Sequence, residues 1–173
     1  MATEIQDAAT AVYSHMKSGH AEFVYQRALA VELQARGWLV YLEVPVVFTY
    51  ADSRSGKSHT VGSGRIDIVA TSPEAKTFLI EIKVSSSQSS RAAHKCQLMA
   101  YSRNWSAPHM GVLVVFKSPS DDPPSVTFVA PAAPLHPQKG YYSLNKPDRV
   151  CNPLVTDLDE PPKNEPQATG NGC

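Results

Sequence analysis

The sequence predicts an α/β domain in which helices cover both faces of a β-sheet. Two stretches of alternating apolar residues, 62–70 and 77–84, indicate adjacent antiparallel strands, because only a short turn at residues 72–74 separates them. A nearly pure apolar stretch at 110–116 is typical of a strand that is buried on both faces. Such a strand needs cover on each side, and the helical segments elsewhere in the chain are expected to supply it.

Three segments have apolar residues at the three-to-four-residue spacing of amphipathic helices, namely residues 3–17, 20–36 and 91–104. The second helix is expected to end at Gly37, a common residue at helix C-termini. The residues expected to face the core form one apolar stripe on each of the last two helices: Val24, Ala28, Val31 and Ala35, then Ala92, Cys96, Met99 and Ala100.

Two further strands are expected outside the central pair. Residues 38–50 are rich in Val, Tyr and Phe, and Pro45 favours an edge strand or a bulge there. The polar residues 51–60 are expected to form a surface hairpin loop. Residues 126–130 are a short strand candidate near the end of the compact part of the chain.

The length of 173 residues suggests a single domain followed by a tail. Prolines become frequent after residue 118, so we predict a domain at 1–130 and a Pro-rich, partly disordered tail at 131–173. The formal net charge is zero, but residues 54–117 contain nine Lys and Arg against three Asp and Glu. The middle of the chain is therefore basic although the whole is neutral.

Cysteine usage and hydropathy predict where the protein resides. The three cysteines have neither metal-ligand spacing nor an even count, so they support neither a zinc site nor a disulfide framework. The N-terminus lacks an apolar signal core, and no run of about twenty apolar residues exists to span a bilayer. We therefore expect an intracellular protein of the cytoplasm or nucleus that is not secreted and has no membrane partner.

Charged residues stand in the middle of the two central strands, where burial is costly unless they are paired or bind a metal ion. If the strands pair side by side, Asp67 and Glu81 approach each other with Lys83 beside them. Two carboxylates repel unless a cation lies between them, and oxygen ligands suit Mg²⁺ or Mn²⁺. The alternative is an exposed sheet face that carries an ordinary Glu-Lys pair.

Strand alternation also predicts which side chains share a face. Ile66, Ile68 and Ala70 are expected on one face of the first central strand, with Asp67 on the other. In the second central strand, Leu79, Glu81 and Lys83 are expected on one face, and the other face is expected to carry Phe78, Ile80, Ile82 and Val84.

Four strings follow one another along the chain: Gly19-x-x-Glu22-x-x-Tyr25-x-x-Ala28-Leu29, Gly64-x-x-Asp67, Glu81-x-Lys83 and Gln97-x-x-x-Tyr101. In this order they resemble the PD-(D/E)XK nuclease superfamily and, more narrowly, its GxxExxY group. Thirteen residues separate Asp67 from Glu81, which suits this superfamily, although Ile66 stands where its name has proline. The resemblance covers roughly residues 19–116.

The resemblance implies a restriction-endonuclease-like core with a central mixed sheet of four to five strands flanked by helices. It also implies a nuclease that hydrolyses phosphodiester bonds with Mg²⁺ or Mn²⁺. DNA is the expected substrate, and RNA is the alternative. A homodimer is compatible with it, since small nucleases of this kind often act in pairs. The alternative is a catalytically inactive module of the same fold that binds nucleic acid or a protein partner.

Individual roles follow from the same resemblance. Asp67, Glu81 and the Ile82 backbone carbonyl would hold the metal ion, and Glu22 would complete the cluster directly or through water. Lys83 would orient or deprotonate the attacking water and offset charge on the phosphate. Gln97 and Tyr101 would fix the geometry of the site. Backbone phosphates of the substrate would be contacted by Arg65, Arg91 and Lys95.

Overall fold

The computed structural model describes residues 2–85, 91–120 and 122–131. The serine tract at 86–90 and the predicted tail after residue 131 lie outside the described residues. The described elements follow one another as three helices and five strands: α1 Ala2–Met16, α2 Glu22–Ala35, β1 Leu39–Ala51, β2 Ser58–Thr71, β3 Thr77–Ser85, α3 Arg91–Arg103, β4 Met110–Lys117 and β5 Ser125–Val129.

The five strands form one sheet in the order β1-β2-β3-β4-β5. All neighbours are antiparallel except β3 and β4, which run parallel with Glu81 opposite Leu113. A parallel pair needs a crossover, and α3 lies in the chain segment that supplies it. The sheet is thus mixed, which confirms the predicted α/β architecture. No helix among the described residues is long and apolar enough to span a membrane.

Two apolar cores lie on the two faces of the sheet. The first core packs α1 and α2 against one face, and it contains Leu29, Ile80 and Phe116. The second core packs α3 against the other face through Leu98, and it includes Leu79. Because both faces are covered, β4 is buried from Gly111 to Phe116, as its continuous apolar run predicts.

The apolar stripes predicted for two helices were mostly wrong, although Ala28 packs against the first core as predicted. On α2 the buried residues are Tyr25, Gln26, Leu29, Ala30 and Leu33, whereas Val31 is 55% exposed. The same occurs on α3, where Leu98 and Tyr101 are buried and Cys96 is exposed. Leu29, Leu33 and Leu98 are buried where the prediction had Val31 and Cys96, and a leucine buries more apolar area than either.

The β1–β2 pair extends well beyond the rest of the sheet. β2 pairs with β3 only from Ile68 to Thr71, whereas its ladder with β1 continues to Ser58. The strand predicted to begin at residue 62 begins at Ser58, so the hairpin loop is shorter than predicted. Pro45 lies on the edge strand β1, in agreement with its predicted position.

The predicted face of Ile66 was wrong. Ile68 and Ala70 pack in the first core, but Ile66 packs in the second core with Val46. The regular alternation of β2 is therefore interrupted between residues 66 and 68. The interruption falls on Asp67, the residue where the β2–β3 ladder stops.

The side chains of β1 also change faces, at the position opposite Asp67. Leu42 packs against the first core and Val44 against the second. Between them, Glu43 has a left-handed backbone with φ 53°, which is uncommon for a residue with a side chain. Since Leu42 pairs with Ile68 in the ladder, the two strands change faces together.

Candidate active site

Strand β3 supplies a buried carboxylate and an ammonium group on its second-core face. Glu81 has 0% exposure, and the Lys83 Nζ lies 2.9 Å from its Oε1. The same Nζ donates a hydrogen bond to Oε1 of Glu22, 3.0 Å away at the first residue of α2. Lys83 thus links the central strand to the helix on which the sequence predicts a third acidic residue.

Asp67 is held at the point where β2 separates from β3. The last paired residues of that ladder are Ile68 and Ile80. Beyond them, the Ile82 backbone N–H donates to Oδ2 of Asp67 at 2.7 Å instead of to a strand carbonyl. The carboxylate therefore satisfies a backbone donor that the departing strand leaves open.

Burial raises the pKa of both carboxyl groups. Burial, followed by the charge of Asp67, raises the pKa of Glu81 to about 7. Burial also raises the pKa of Asp67, with further contributions from Glu22 and Glu43, although the Ile82 N–H opposes the shift. A positive group between the two carboxylates would relieve this cost.

Lys83 remains strongly basic in this setting. Burial of its ammonium acts to lower the pKa, but the hydrogen bond and charge of Glu81, with Glu22 and Asp67, outweigh it and the pKa is raised. A lysine that holds its proton this firmly is a poor base. The arrangement favours an orienting and charge-offsetting role for Lys83 over abstraction of a proton from water.

Gln97 and Tyr101 on α3 form a pair. The Gln97 Nε2 donates to the Tyr101 hydroxyl at 3.0 Å, and the Tyr101 ring stacks on Phe48 of β1 at 6.0 Å. A Cβ at Gly64 would lie 2.6 Å from the Tyr101 ring, so only glycine fits there. The glycine of the Gly64-x-x-Asp67 string therefore allows α3 to pack closely against β2.

The N-terminus of α2 is fixed by the other residues of its motif. Gly19 has φ 103°, a conformation that favours glycine, in the turn before the helix. The buried Tyr25 hydroxyl donates to the Lys17 carbonyl oxygen at 2.6 Å, and its ring stacks on Phe116 at 4.4 Å. These contacts anchor the turn that leads into Glu22.

The predicted phosphate-binding residues lie in different settings. Arg65 is 70% exposed, and its Nε lies 3.4 Å from Oε2 of Glu43. Lys95 is half-buried on α3, and the side chain of Arg91 lies outside the described part of the structure. His94 is close enough to the site to be affected by it: burial and the charge of Lys83 lower its pKa.

The donor set fits a hard divalent cation only in part. Within residues 2–85, 91–120 and 122–131, no group of three or more His, Cys, Asp or Glu side chains is arranged to hold a metal ion. However, Oε2 of the buried Glu81 carboxylate has no hydrogen-bond partner among the described residues, although Oε1 pairs with Lys83. The carboxylate of Asp67 is close enough to act on the pKa of Glu81. Two carboxylates completed by a backbone carbonyl and water are an ordinary set for Mg²⁺.

Sequence reasoning missed two residues next to Asp67. The side chain of Gln26, buried on α2, donates from Nε2 to Oε1 of Glu43 at 2.6 Å and to the Asp67 carbonyl oxygen at 2.7 Å. Gln26 stands four residues after Glu22, so the sequence indicates that the two residues share a helix face. No feature of the sequence indicates that the Gln26 side chain is buried. Glu43 interrupts the apolar pattern of β1, which was the available signal.

Comparison with known proteins identifies the family. The model of the PD-(D/E)XK nuclease superfamily matches residues 1–125, and the chain belongs to this superfamily. Five solved chains match, among them one described as "Crystal structure of SSO0001". That structure is 21% identical with a TM-score of 0.41, and the match covers 79% of this chain and 68% of the other. No curated protein matches the sequence.

Proposed function

We propose that this protein is a metal-dependent nuclease of the GxxExxY type that hydrolyses phosphodiester bonds, with DNA as its substrate. The observation that carries the proposal is the fully buried Glu81 carboxylate, whose Oε1 pairs with Lys83 while its Oε2 has no partner among the described residues. A buried carboxylate in this state lowers stability unless a ligand compensates for it. Membership of a nuclease superfamily makes a catalytic metal the natural compensation.

In the proposed site, Asp67, Glu81 and the Ile82 carbonyl would hold Mg²⁺ or Mn²⁺. Glu22 would contribute directly or through water. When bound, the ion would polarise a phosphoryl oxygen and lower the pKa of a bound water. Since the pKa of Glu81 is about 7, metal binding competes with protonation of this carboxyl near neutral pH.

The protein groups around this centre would orient the substrate and stabilise charge. Lys83 keeps its proton, so its ammonium can offset the charge that grows on the phosphate. Gln97 and Tyr101 form one hydrogen-bonded unit that would fix the scissile phosphate or a water. Arg65, Arg91 and Lys95 would contact neighbouring phosphates, which position the substrate without reading its sequence.

A second candidate is a non-catalytic module that binds nucleic acid or a protein through the same fold. The ion pairs of Lys83 with Glu81 and Glu22 favour it, because they neutralise much of the acidic cluster without a metal ion. The two functions differ in what removal of Glu81 does. A nuclease loses cleavage, whereas a binding module binds a polyanion as well or better.

The test is cleavage of labelled single-stranded, duplex and branched DNA, and of RNA, with Mg²⁺ or Mn²⁺. The native chain is compared with Glu81→Ala and Lys83→Ala, and with Glu74→Ala and Lys76→Ala as matched controls in the exposed β2–β3 turn. Metal-dependent cleavage that is lost only in the first pair supports the nuclease. Absence of cleavage, together with metal binding that Glu81→Ala leaves unchanged, contradicts it.

A further inference from the structure

Gln26 contacts the backbone of Asp67 rather than its carboxylate. Its side chain is 5% exposed, and its single Nε2 group donates to both Glu43 Oε1 and the Asp67 carbonyl oxygen. A buried amide with two such partners has one orientation only. Gln26 therefore fixes the distance between α2 and the two strands at this point.

Gln26 contacts the β1–β2 pair at a local irregularity, which is separate from the register shift between Phe48 and Thr49. Glu43 has a left-handed backbone, and the side chains of both strands change faces there. A non-glycine residue in this conformation is strained and persists only where its surroundings enforce it. The hydrogen bond from Gln26 and the ion pair with Arg65 are the contacts that hold the Glu43 side chain.

This irregularity is what directs the Asp67 side chain toward β3. At residues 68–71, β2 pairs with β3 through its backbone. At residue 67 the side-chain carboxylate, rather than a backbone carbonyl, accepts the hydrogen bond of the Ile82 N–H. Asp67 is thus held at two atoms, its carbonyl oxygen by Gln26 and its Oδ2 by Ile82.

Gln26 also connects two acidic residues of the site, Glu22 and Asp67. It lies on the same helix as Glu22, four residues and about one turn later. Glu22 accepts from Lys83 of β3, while Gln26 donates to the strand of Asp67. One helix thereby sets the position of β2 relative to β3 across the site.

We propose that Gln26 is a positioning residue that, together with Glu43, holds the Asp67 carboxylate against the Ile82 amide. The role of Asp67 as a metal ligand rests on the proposed function, but its placement does not. Gln26 itself touches neither a metal ion nor substrate in this scheme. Its effect passes through the backbone of Asp67.

The decisive experiment is amide hydrogen exchange of the metal-free protein at Ile82. In Gln26→Met, which keeps the length of the side chain but cannot donate, the Ile82 amide should exchange about tenfold faster or more. The Ile80 amide points to the same side of β3 within the intact ladder and serves as the internal reference. Equal acceleration at both amides would indicate general loosening and overturn the proposal.

Two further variants keep the test decisive if Gln26→Met does not fold. Glu43→Gly suits the left-handed backbone but removes the acceptor, so it should fold and still speed exchange at Ile82. Glu43→Gln retains an oxygen that can accept from Gln26, and it should restore slow exchange. Unchanged Ile82 exchange in Glu43→Gly contradicts the proposal.

A second readout links the placement to metal binding. Gln26→Met should raise the Mn²⁺ concentration at half-maximal binding roughly tenfold or more, as loss of a ligand's support commonly does. Ser102→Ala removes another buried hydrogen bond, near the C-terminal end of α3. This variant should leave the Mn²⁺ concentration at half-maximal binding unchanged. If the native protein binds no Mn²⁺, the proposed function fails, while exchange at Ile82 still decides the role of Gln26.

Discussion

Lys83 on β3 and Glu22 on α2 are joined by a hydrogen bond of 3.0 Å between Nζ and Oε1, although 61 positions separate them in the chain. Glu22 is 43% exposed, so this pair adds little to stability. Its consequence is geometric, because it holds the ammonium of Lys83 at a fixed place beside Glu81. A pair of this kind affects activity more than folding.

We therefore expect Glu22→Gln to change the free energy of unfolding by less than about 1 kcal/mol while lowering the cleavage rate roughly tenfold or more. Urea unfolding and the rate at saturating Mg²⁺ measure the two effects. Glu32→Gln is the matched control, since Glu32 makes a similar ion pair with Arg36 at 2.8 Å on the same helix. Equal cleavage rates for the two variants would contradict a role for Glu22 in the site.

The raised pKa of Glu81 predicts a pH dependence of the metal-free protein. Because the pKa is 4.5 before folding and about 7 after it, the folded state holds this proton more tightly. Its contribution to stability is therefore complete below pH 4.5 and is lost as the pH rises through about 7. Asp67, whose pKa is also raised, acts in the same direction from pH 3.8 upward.

The size of this effect is on the order of 3 kcal/mol if the full rise in the Glu81 pKa is expressed. Lys83 adds no slope here, since its raised pKa keeps it protonated throughout this range. Urea unfolding in EDTA from pH 4.5 to 8 measures the slope, and Glu81→Gln should lose most of it. A slope that is the same in both proteins would mean that Glu81 is not the titrating group.

The sequence predicted the parts of the site that depend on strand alternation. Glu81 and Lys83 share a face of β3 because period 2 requires it, and Leu79 on that face packs in the second core as expected. The Gln97–Tyr101 pair follows equally directly from helical spacing. Regular geometry can be read from residue spacing.

The remaining features depend on irregular backbone and on competition between apolar faces. Glu43 has a left-handed φ that its residue type disfavours, so no propensity could indicate it or the changed face of Ile66. On α2, valines and leucines occupy different stripes, and only packing selects Leu29 over Val31. Gln26 was missed because a buried glutamine is recognisable only from its partners.

Tyr25 offers a test of how the start of α2 is held. Tyr25→Phe keeps the stack on Phe116 but loses the hydrogen bond to the Lys17 carbonyl oxygen, which should cost about 1 kcal/mol of stability. Because that bond anchors the turn before Glu22, the cleavage rate should also fall. Tyr13→Phe is the matched control, since the Tyr13 hydroxyl donates to the Ser120 carbonyl oxygen away from Glu22. A similar loss of rate in both variants would show a general effect of stability.

Gly64 tests whether the contact between β2 and α3 is as close as the structure indicates. Gly64→Ala would place a Cβ 2.6 Å from the Tyr101 ring, so either the ring or the strand must move. We expect a loss of about 1–3 kcal/mol of stability, typical of an overpacked core. The same substitution in a Tyr101→Ala background should cost much less, because the obstructing ring is gone. Chemical unfolding of the four proteins in this cycle measures the coupling, and additive effects would show that Gly64 and Tyr101 are not in contact.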